Sequence, residues 1–272
     1  GNQSAAGAAA LYLDDVQGRL EAVEISAARS TTGFNDPSSV VFLTGGDPTG
    51  TLQLEGWIVR SSAAAAAIRL KDLEGTIDVH DVEIGFHEGR YSLVGDTTGP
   101  ASDLTIDNLW AHHQIAYTSA DVVSLYPLLS WGSYWRLRNA TITDNGANTG
   151  SLFVACHACG GVDVVNVLTG TDSYGLPHYG LMWIDTFGTQ LHVRDTTTLH
   201  GTPWTKAYSG PDGFPPDCVD CGTLAGDPFV APPPSFDVHL HPTSSLKGTG
   251  DASLCGGSTA PNCLDPGFWG GP

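Results

Sequence analysis

The chain is poor in positive charge. Its 272 residues include 11 Lys and Arg against 29 Asp and Glu, a formal net charge of −18 with histidine neutral. Such a surface is repelled by phosphate backbones and anionic membranes, so nucleic acid is not an expected partner. Charged residues make up only 15% of the sequence and form no long acidic run, which excludes a disordered acidic tail. No run of 18 apolar residues occurs, so the chain is not expected to span a membrane with a helix. Methionine occurs once and lysine is scarce, which argues against Schiff-base or cofactor chemistry, and no cofactor is expected. Walker, G-x-G-x-x-G, G-x-S-x-G and H-E-x-x-H motifs are all missing. The Asp-rich turns could hold Ca²⁺, though not with the spacing of an EF-hand. The opening GNQSAAGAAA has no Met, no basic region and no apolar core of a signal peptide, which reads as a mature or trimmed segment.

What is abundant is turn chemistry. There are 34 Gly, 17 Pro and an even number of cysteines: Cys156, Cys159, Cys218, Cys221, Cys255 and Cys263. An even count in an acidic, Gly-rich chain favours an oxidising compartment and disulfides. Six cysteines allow 15 pairings, of which the local ones, 156–159, 218–221 and 255–263, close the shortest loops. The two C-x-x-C-G units could instead bind Zn²⁺ or carry redox chemistry. Their separation exceeds that of ordinary zinc ribbons, and no βαβ context surrounds them.

Residues 76–89, TIDVHDVEIGFHEG, hold two short alternating strands joined by one polar residue, Asp81. The same pattern recurs with Glu24, Gly56, Asn108, Asn139, Asn166 and Asp195 in that slot, at steps of 32, 25, 27, 31, 27 and 29 residues. A third apolar run precedes each motif, and no helical periodicity appears. Three short strands per repeat predict a parallel β-solenoid of about seven coils. The polar slot is then a sharp corner, where Asn, Asp or Gly adopts positive φ at least cost and stacked side-chain amides can bond along the axis. The repeat is read as residues 1–205. The Pro- and Gly-rich segment 206–272 should pack on the solenoid or cap its exposed sheet edge.

These corners resemble the Asn ladder of right-handed parallel β-helix proteins of the pectate-lyase-like superfamily, over roughly residues 8–205. The C-terminal stretch GDPFVAPPPSFDVHLHPTSSLKGTGD is similar to the closing segment of choice-of-anchor Q type bacterial surface proteins. The matching residues are Asp227, Pro228, Phe229, His239, Leu240, Pro242, Ser244, Gly250 and Asp251, and the usual D-I-G-A-x-E ending is missing. The resemblance implies an all-β right-handed β-helix exported to the cell surface or the extracellular medium. It implies no reaction.

Four groups of residues could carry function. The outward positions of the strand before the corner are Gln53 and Glu55, Asp78 and His80, Thr105 and Asp107, Arg136 and Arg138, Asp163 and Val165, then His192 and Arg194. Asp78, Asp107, Arg136, Arg138 and Asp163 are the catalytic candidates: cations to neutralise an acidic sugar and carboxylates for proton transfer. Otherwise the stripe is a solvated face of weak ion pairs. Trp110, His113, Tyr126, Trp131, Tyr134 and Trp135 cluster around 110–135 and are the candidate sugar-contact residues, unless they simply pack that loop. His87, His112, His113, His178 and His200 follow the third strand near Asp144 and Asp172 and could hold a metal or a base. In an extended chain His112 and His113 cannot face the same way. Finally, the first-strand runs (SVVFL, AAAAIRL, SLFVACHA, YGLMWI) are apolar in both phases, which predicts burial on both faces by loops, tail or a protein partner.

The sequence therefore predicts a secreted or cell-surface scaffold presenting a rigid surface to glycan or to a protein partner, without catalysis. The alternative is a polysaccharide lyase or glycoside hydrolase acting on an extracellular polysaccharide.

Overall fold

The computed structural model describes residues 8–29, 38–97, 102–114, 121–127, 133–143, 150–156, 159–170, 179–185, 191–199, 205–209, 219–225, 228–231, 237–255 and 265. It is an all-β parallel β-solenoid, with no α-helix among the described residues. Eight parallel strands form the first side, stacked in the order Ala8–Asp14, Ser39–Gly45, Ala66–Leu73, Tyr91–Thr97, Asp121–Pro127, Gly150–Cys156, Tyr179–Asp185 and Thr205–Ser209. A twelve-stranded sheet forms the other two sides. Thr51–Arg60, Gly75–Gly85 and Ser102–His112 run through its bend unbroken. Elsewhere each rung is split in two, as in Tyr134–Arg138 with Thr141–Thr143 and Gly161–Val165 with Leu168–Thr169. Residues 38–170 make about five turns, and strands of both sheets extend the stack at either end.

Alternation explains the core. Inward residues of the second side stack in register as Leu52, Ile77, Leu104, Trp135, Val162 and Leu191 beside Leu54, Val79, Ile106, Leu137, Val164 and Val193. All are buried. Each such side chain removed from water contributes roughly 1.5–3 kcal/mol. Trp135 is therefore a core residue and not a sugar contact. It is 3% exposed, its indole N–H lies 3.3 Å from Ser102 Oγ, and its ring fills the space that a Cβ on Gly95 would need.

The bend is made by left-handed residues. Gly56, Asp81, Asn108, Asn139, Asn166 and Asp195 have φ between 49° and 65°, as the repeat predicts. In the first coil the corner falls on Ala22 (φ 52°) and not on Glu24, which lies in the strand Glu24–Ser26. Asp220 (φ 53°) makes a further corner beyond the repeat read from the sequence. There Val219 bridges Arg194, and Gly222–Thr223 pairs with Thr197–Thr198. Corner N–H groups donate to the neighbouring rung: Ala22 to Glu55 O, Asn139 to Val165 O, Asn166 to Arg194 O and Asp195 to Val219 O. Side chains form the expected ladder with one shift. Asn108 donates to Asp81, and Asn166 to Asn139 at 3.0 Å, but Asn139 donates to Asp107 at 2.7 Å.

A second left-handed column ends the third side. Ala27, Ser61, Phe86 and His113 have φ of 50–56°, and the first three donate their N–H to Arg60 O, Gly85 O and His112 O. None of the four is Asn, Asp or Gly, so the sequence does not announce this corner.

Part of the first side is buried on its outer face as well as its inner one. In register, the outward Phe42, Arg69 and Val94 are 7%, 7% and 3% exposed, and Tyr12 stacks on Phe42 at 5.5 Å. The chain itself covers these three positions, whereas Tyr12 at the start of the same row is 41% exposed. The tail docks on the third side and its corner. Phe229 and Leu240, from an antiparallel hairpin, pack with the outward Leu168 and with Leu199. Further on, the Asp251 N–H donates to Asn166 Oδ1 at 2.8 Å, and the Asp251 carboxylate pairs with Arg194. Val165, the apolar member of the outward stripe, lies in register between Arg138 and Arg194 and is 1% exposed.

Asn166 is both a corner and a two-way hydrogen-bond partner, so Asn166→Ala should cost about 2–4 kcal/mol in chemical denaturation. Asn166→Gly, which keeps the backbone geometry, should cost measurably less. Equal losses would mean that backbone handedness contributes nothing at this corner.

Candidate functional site

The structure brings the predicted outward stripe together as two straight rows. Arg19, Gln53, Asp78, Thr105, Arg136, Asp163 and His192 form one. Glu21, Glu55, His80, Asp107, Arg138, Val165 and Arg194 form the other. The rows exist because parallel, in-register strands repeat every side chain on each rung. Within them Arg19 pairs with Glu55 and Glu21, an exposed contact of little energetic weight.

The most structured part centres on Tyr134. Its hydroxyl donates to Asp163 Oδ1 at 2.8 Å, and the Arg136 guanidinium lies 4.4 Å from its ring centroid. Burial, followed by the bond to Asp163, pushes the phenol up. The ring leans across Gly161, where a Cβ would stand 2.5 Å from it. Asp107 and Asp163 are both acceptors already engaged, by Asn139 and Tyr134. Arg138 and Arg194 lie where the tail's Asp251 docks. Burial would raise the Asp251 carboxyl, but bonds to Ser253 and the charges of Arg194 and Arg138 hold it below its ordinary value.

Of the other sugar-contact candidates, Trp110 is 8% exposed and stacks on His112 at 4.0 Å. Tyr126 belongs to the strand Asp121–Pro127, but its side chain lies outside the described residues, as does Trp131. Cys218 and Cys263 and the side chains of Cys156 and Cys255 are also outside them. No described cysteine is a free thiol, and no disulfide joins two described cysteines. Asp144, Asp172, His178 and His200 lie outside the described residues too. Among the described residues no group of three or more His, Cys, Asp or Glu forms a metal cluster.

One cluster was only half legible. His112 and His113 do meet, because His113 is the left-handed corner residue and the turn swings its side chain back. Their Nδ1 atoms are 2.9 Å apart. His112 Nε2 lies 3.2 Å from Glu83 Oε1, and Arg60 grips the same carboxylate with two bonds of 2.6 Å. Burial alone would raise the Glu83 carboxyl; the His112 bond and the Arg60 guanidinium outweigh it and hold the group at about 2. A Cβ on Gly85 would fall 2.5 Å from the His112 ring, so glycine makes the space for that imidazole. Phe86, itself 44% exposed, stacks on His113 at 4.7 Å. The signal that could have found Glu83 was its register one rung before Trp110. His87 stands apart: it is fully buried, its Nδ1 lies 2.8 Å from Ser62 Oγ, and burial pushes its imidazole down to about 3.

Comparison with protein-family models, with curated proteins and with solved structures found no match.

His87 and Glu83 both destabilise the fold on acidification, in different windows. Unfolded His87 takes a proton near pH 6.5 and folded His87 only near 3, so stability falls as pH drops through that interval. Glu83 adds a loss between about 4.5 and 2. Urea midpoints measured from pH 8 to 3 should fall from about pH 6.5 downward in the wild type. They should fall later and less steeply in His87→Gln. A wild-type midpoint flat down to pH 4 would contradict the assignment.

Proposed function

We propose that the protein is a secreted or cell-surface β-helix scaffold that binds glycan along its second side. The observation that carries this reading is the contiguous set formed by Tyr134, Arg136 and Asp163 within straight polar rows on a rigid face. An aromatic ring, a cation and a carboxylate on adjacent rungs offer the stacking surface and the donors and acceptors that a sugar needs. A solenoid fixes their spacing without ordering any loop, so little entropy is lost on binding. Export is supported by the acidic, cysteine-bearing composition and by the likeness of the tail to surface-protein closing segments. That likeness, together with the Asn ladder, also supports kinship with pectate-lyase-like β-helix proteins.

Binding without turnover is favoured over the lyase or hydrolase alternative because Asp107 and Asp163 are already engaged as acceptors. The second side is favoured over the first because Phe42, Arg69 and Val94 are covered by the chain itself.

A panel of neutral and acidic oligosaccharides screened by calorimetry should yield at least one ligand. Tyr134→Ala should weaken it roughly tenfold, equivalent to about 1.4 kcal/mol. Chain-length analysis of the same sugars should show no cleavage. An empty panel, or full affinity in Tyr134→Ala, would count against the reading, and cleavage lost in Asp107→Asn would replace it with the enzymatic one.

A further inference from the structure

The solenoid begins on an open rung. Its three strands, Ala8–Asp14, Gly18–Glu21 and Glu24–Ser26, each pair with the second coil along one edge, and no other described strand pairs with their outer edge. The inward side chains show the consequence. Leu11, Leu13, Leu20 and Ile25 pack on the core yet stay partly exposed. Their register partners one rung down, Val41, Leu43, Leu54 and Val59, are at most 1% exposed. The rung is nonetheless firmly held. The Trp57 indole N–H donates to Leu20 O at 2.9 Å, and the N–H groups of Ala22 and Ala27 donate to Glu55 O and Arg60 O. An edge of this kind is a template for one more strand, and natural edges are commonly blunted by Lys, Pro or a bulge. Gly18–Glu21 has none of these, and it pairs with Leu52–Glu55 in continuous register.

The direction of the edge groups follows from the bonded ones. Ala22 donates its N–H toward the second coil, and Leu20 turns its carbonyl the same way, to Trp57. By alternation, Arg19 and Glu21 turn both their N–H and C=O groups outward along the solenoid axis. An antiparallel copy of the same strand meets those groups when Arg19 stands opposite Glu21. That register makes two hydrogen-bonded Arg19–Glu21 pairs, one on each side of a two-fold axis, and a close non-hydrogen-bonded Leu20–Leu20 pair facing the interior. Opposite charges then face each other twice. Sliding by two residues in either direction sets Arg19 against Arg19 or Glu21 against Glu21, which is unfavourable. The sequence of this edge is therefore complementary to itself in one register.

We propose that two copies of this chain dock end to end through the first rung, across a two-fold axis at Leu20, with Arg19 opposite Glu21 of the partner subunit. In a three-sided solenoid, an axis through the middle of the second side returns that side to itself and exchanges the other two. The first side of one copy closes on the third side of the other, and the half-covered aliphatic end of each is buried against its counterpart. Such an isologous contact consumes the edge on both copies, so assembly stops at a dimer. The second sides of the two copies then form one continuous outward face that carries two Tyr134 sets. The docking itself does not rest on glycan binding.

The test is sedimentation equilibrium of the whole chain from about 0.1 to about 100 µM. The wild type should approach twice the chain mass of 28.4 kDa and go no higher. Arg19→Glu and Glu21→Arg each set like charges across the axis at both pairs, and each should weaken the dimer by about tenfold. The double variant restores opposite charges and should recover association. Both side chains are about half exposed, at 52% and 51%, so the variants should fold, and melting curves check that they do. Hydrogen exchange gives a second readout. The amides of Arg19 and Glu21 should slow on dimerisation, while that of Leu20, already bonded within the chain, is slow in both states. A monomer throughout, an open-ended series of larger species, a dimer that the folded single variants leave intact, losses that the double variant does not recover, or fast exchange at Arg19 and Glu21 in the dimer would each overturn the proposal.

Discussion

The whole structure depends on one backbone arrangement: a single left-handed residue whose N–H reaches the carbonyl of the next rung. It turns the chain sharply while keeping the flanking strands in register with their neighbours. In an ordinary residue that conformation costs roughly 1–2 kcal/mol. The solenoid recovers it because every corner is repeated. At the bend of the second sheet, Ala22, Asn139, Asn166 and Asp195 donate to a carbonyl of the neighbouring rung, and Asn adds a side-chain bond along the axis. The dry interior follows from this register. Were one corner to slip by a residue, the inward column of Leu, Ile and Val would face water and the charged rows would face the core.

This constraint explains why the architecture could be read from the sequence and the site mostly could not. Asp81, Asn108, Asn139, Asn166 and Asp195 announce themselves because their residue types suit positive φ. Apolar alternation around Glu24 points to a first corner there. The real corner is Ala22, a residue with no turn signature. Asp220 has a residue type suited to a corner, but Pro-rich sequence before it hides the strand that follows it. The third-side corners Ser61, Phe86 and His113 carry no signal at all, so the meeting of His112 with His113 could not be foreseen. Extended geometry forbids that meeting, and only the left-handed turn permits it. Trp135 shows the converse error. A tryptophan among aromatics looks like a ligand platform, yet its parity with Leu137 puts it inside.

Polar groups on this molecule are organised by rung, and each row has been used differently along its length. Near the start, Arg19, Glu21 and Glu55 make exposed pairs whose effect on stability is small. In the middle, Tyr134, Arg136 and Asp163 hold one another in place and still face outward. Toward the end the stripe contains Val165 between two arginines, a pattern that would be a poor solvated face. Its burial and the pairing of Arg194 with Asp251 explain it: this part of the row is an interface with the tail. A single apolar residue in a charged row thus marked a docking surface, and its partner was a segment of the same chain.

The tail's grip on Asn166 also ties the end of the chain to the corner column. Asn166 Oδ1 would have no further side-chain amide to accept from, because the next corner, Asp195, carries a carboxylate in place of one. The backbone N–H of Asp251 supplies the missing donor. The Asn ladder therefore ends where asparagine gives way to aspartate, and the tail docks at that point. The same substitution leaves a like-charged neighbourhood: burial first, then Asp251 and Asp220, raise the Asp195 carboxyl. Arg194 is held against that group of acids by its pair with Asp251. Corner chemistry, tail docking and local charge are consequences of one change of residue type along a single column.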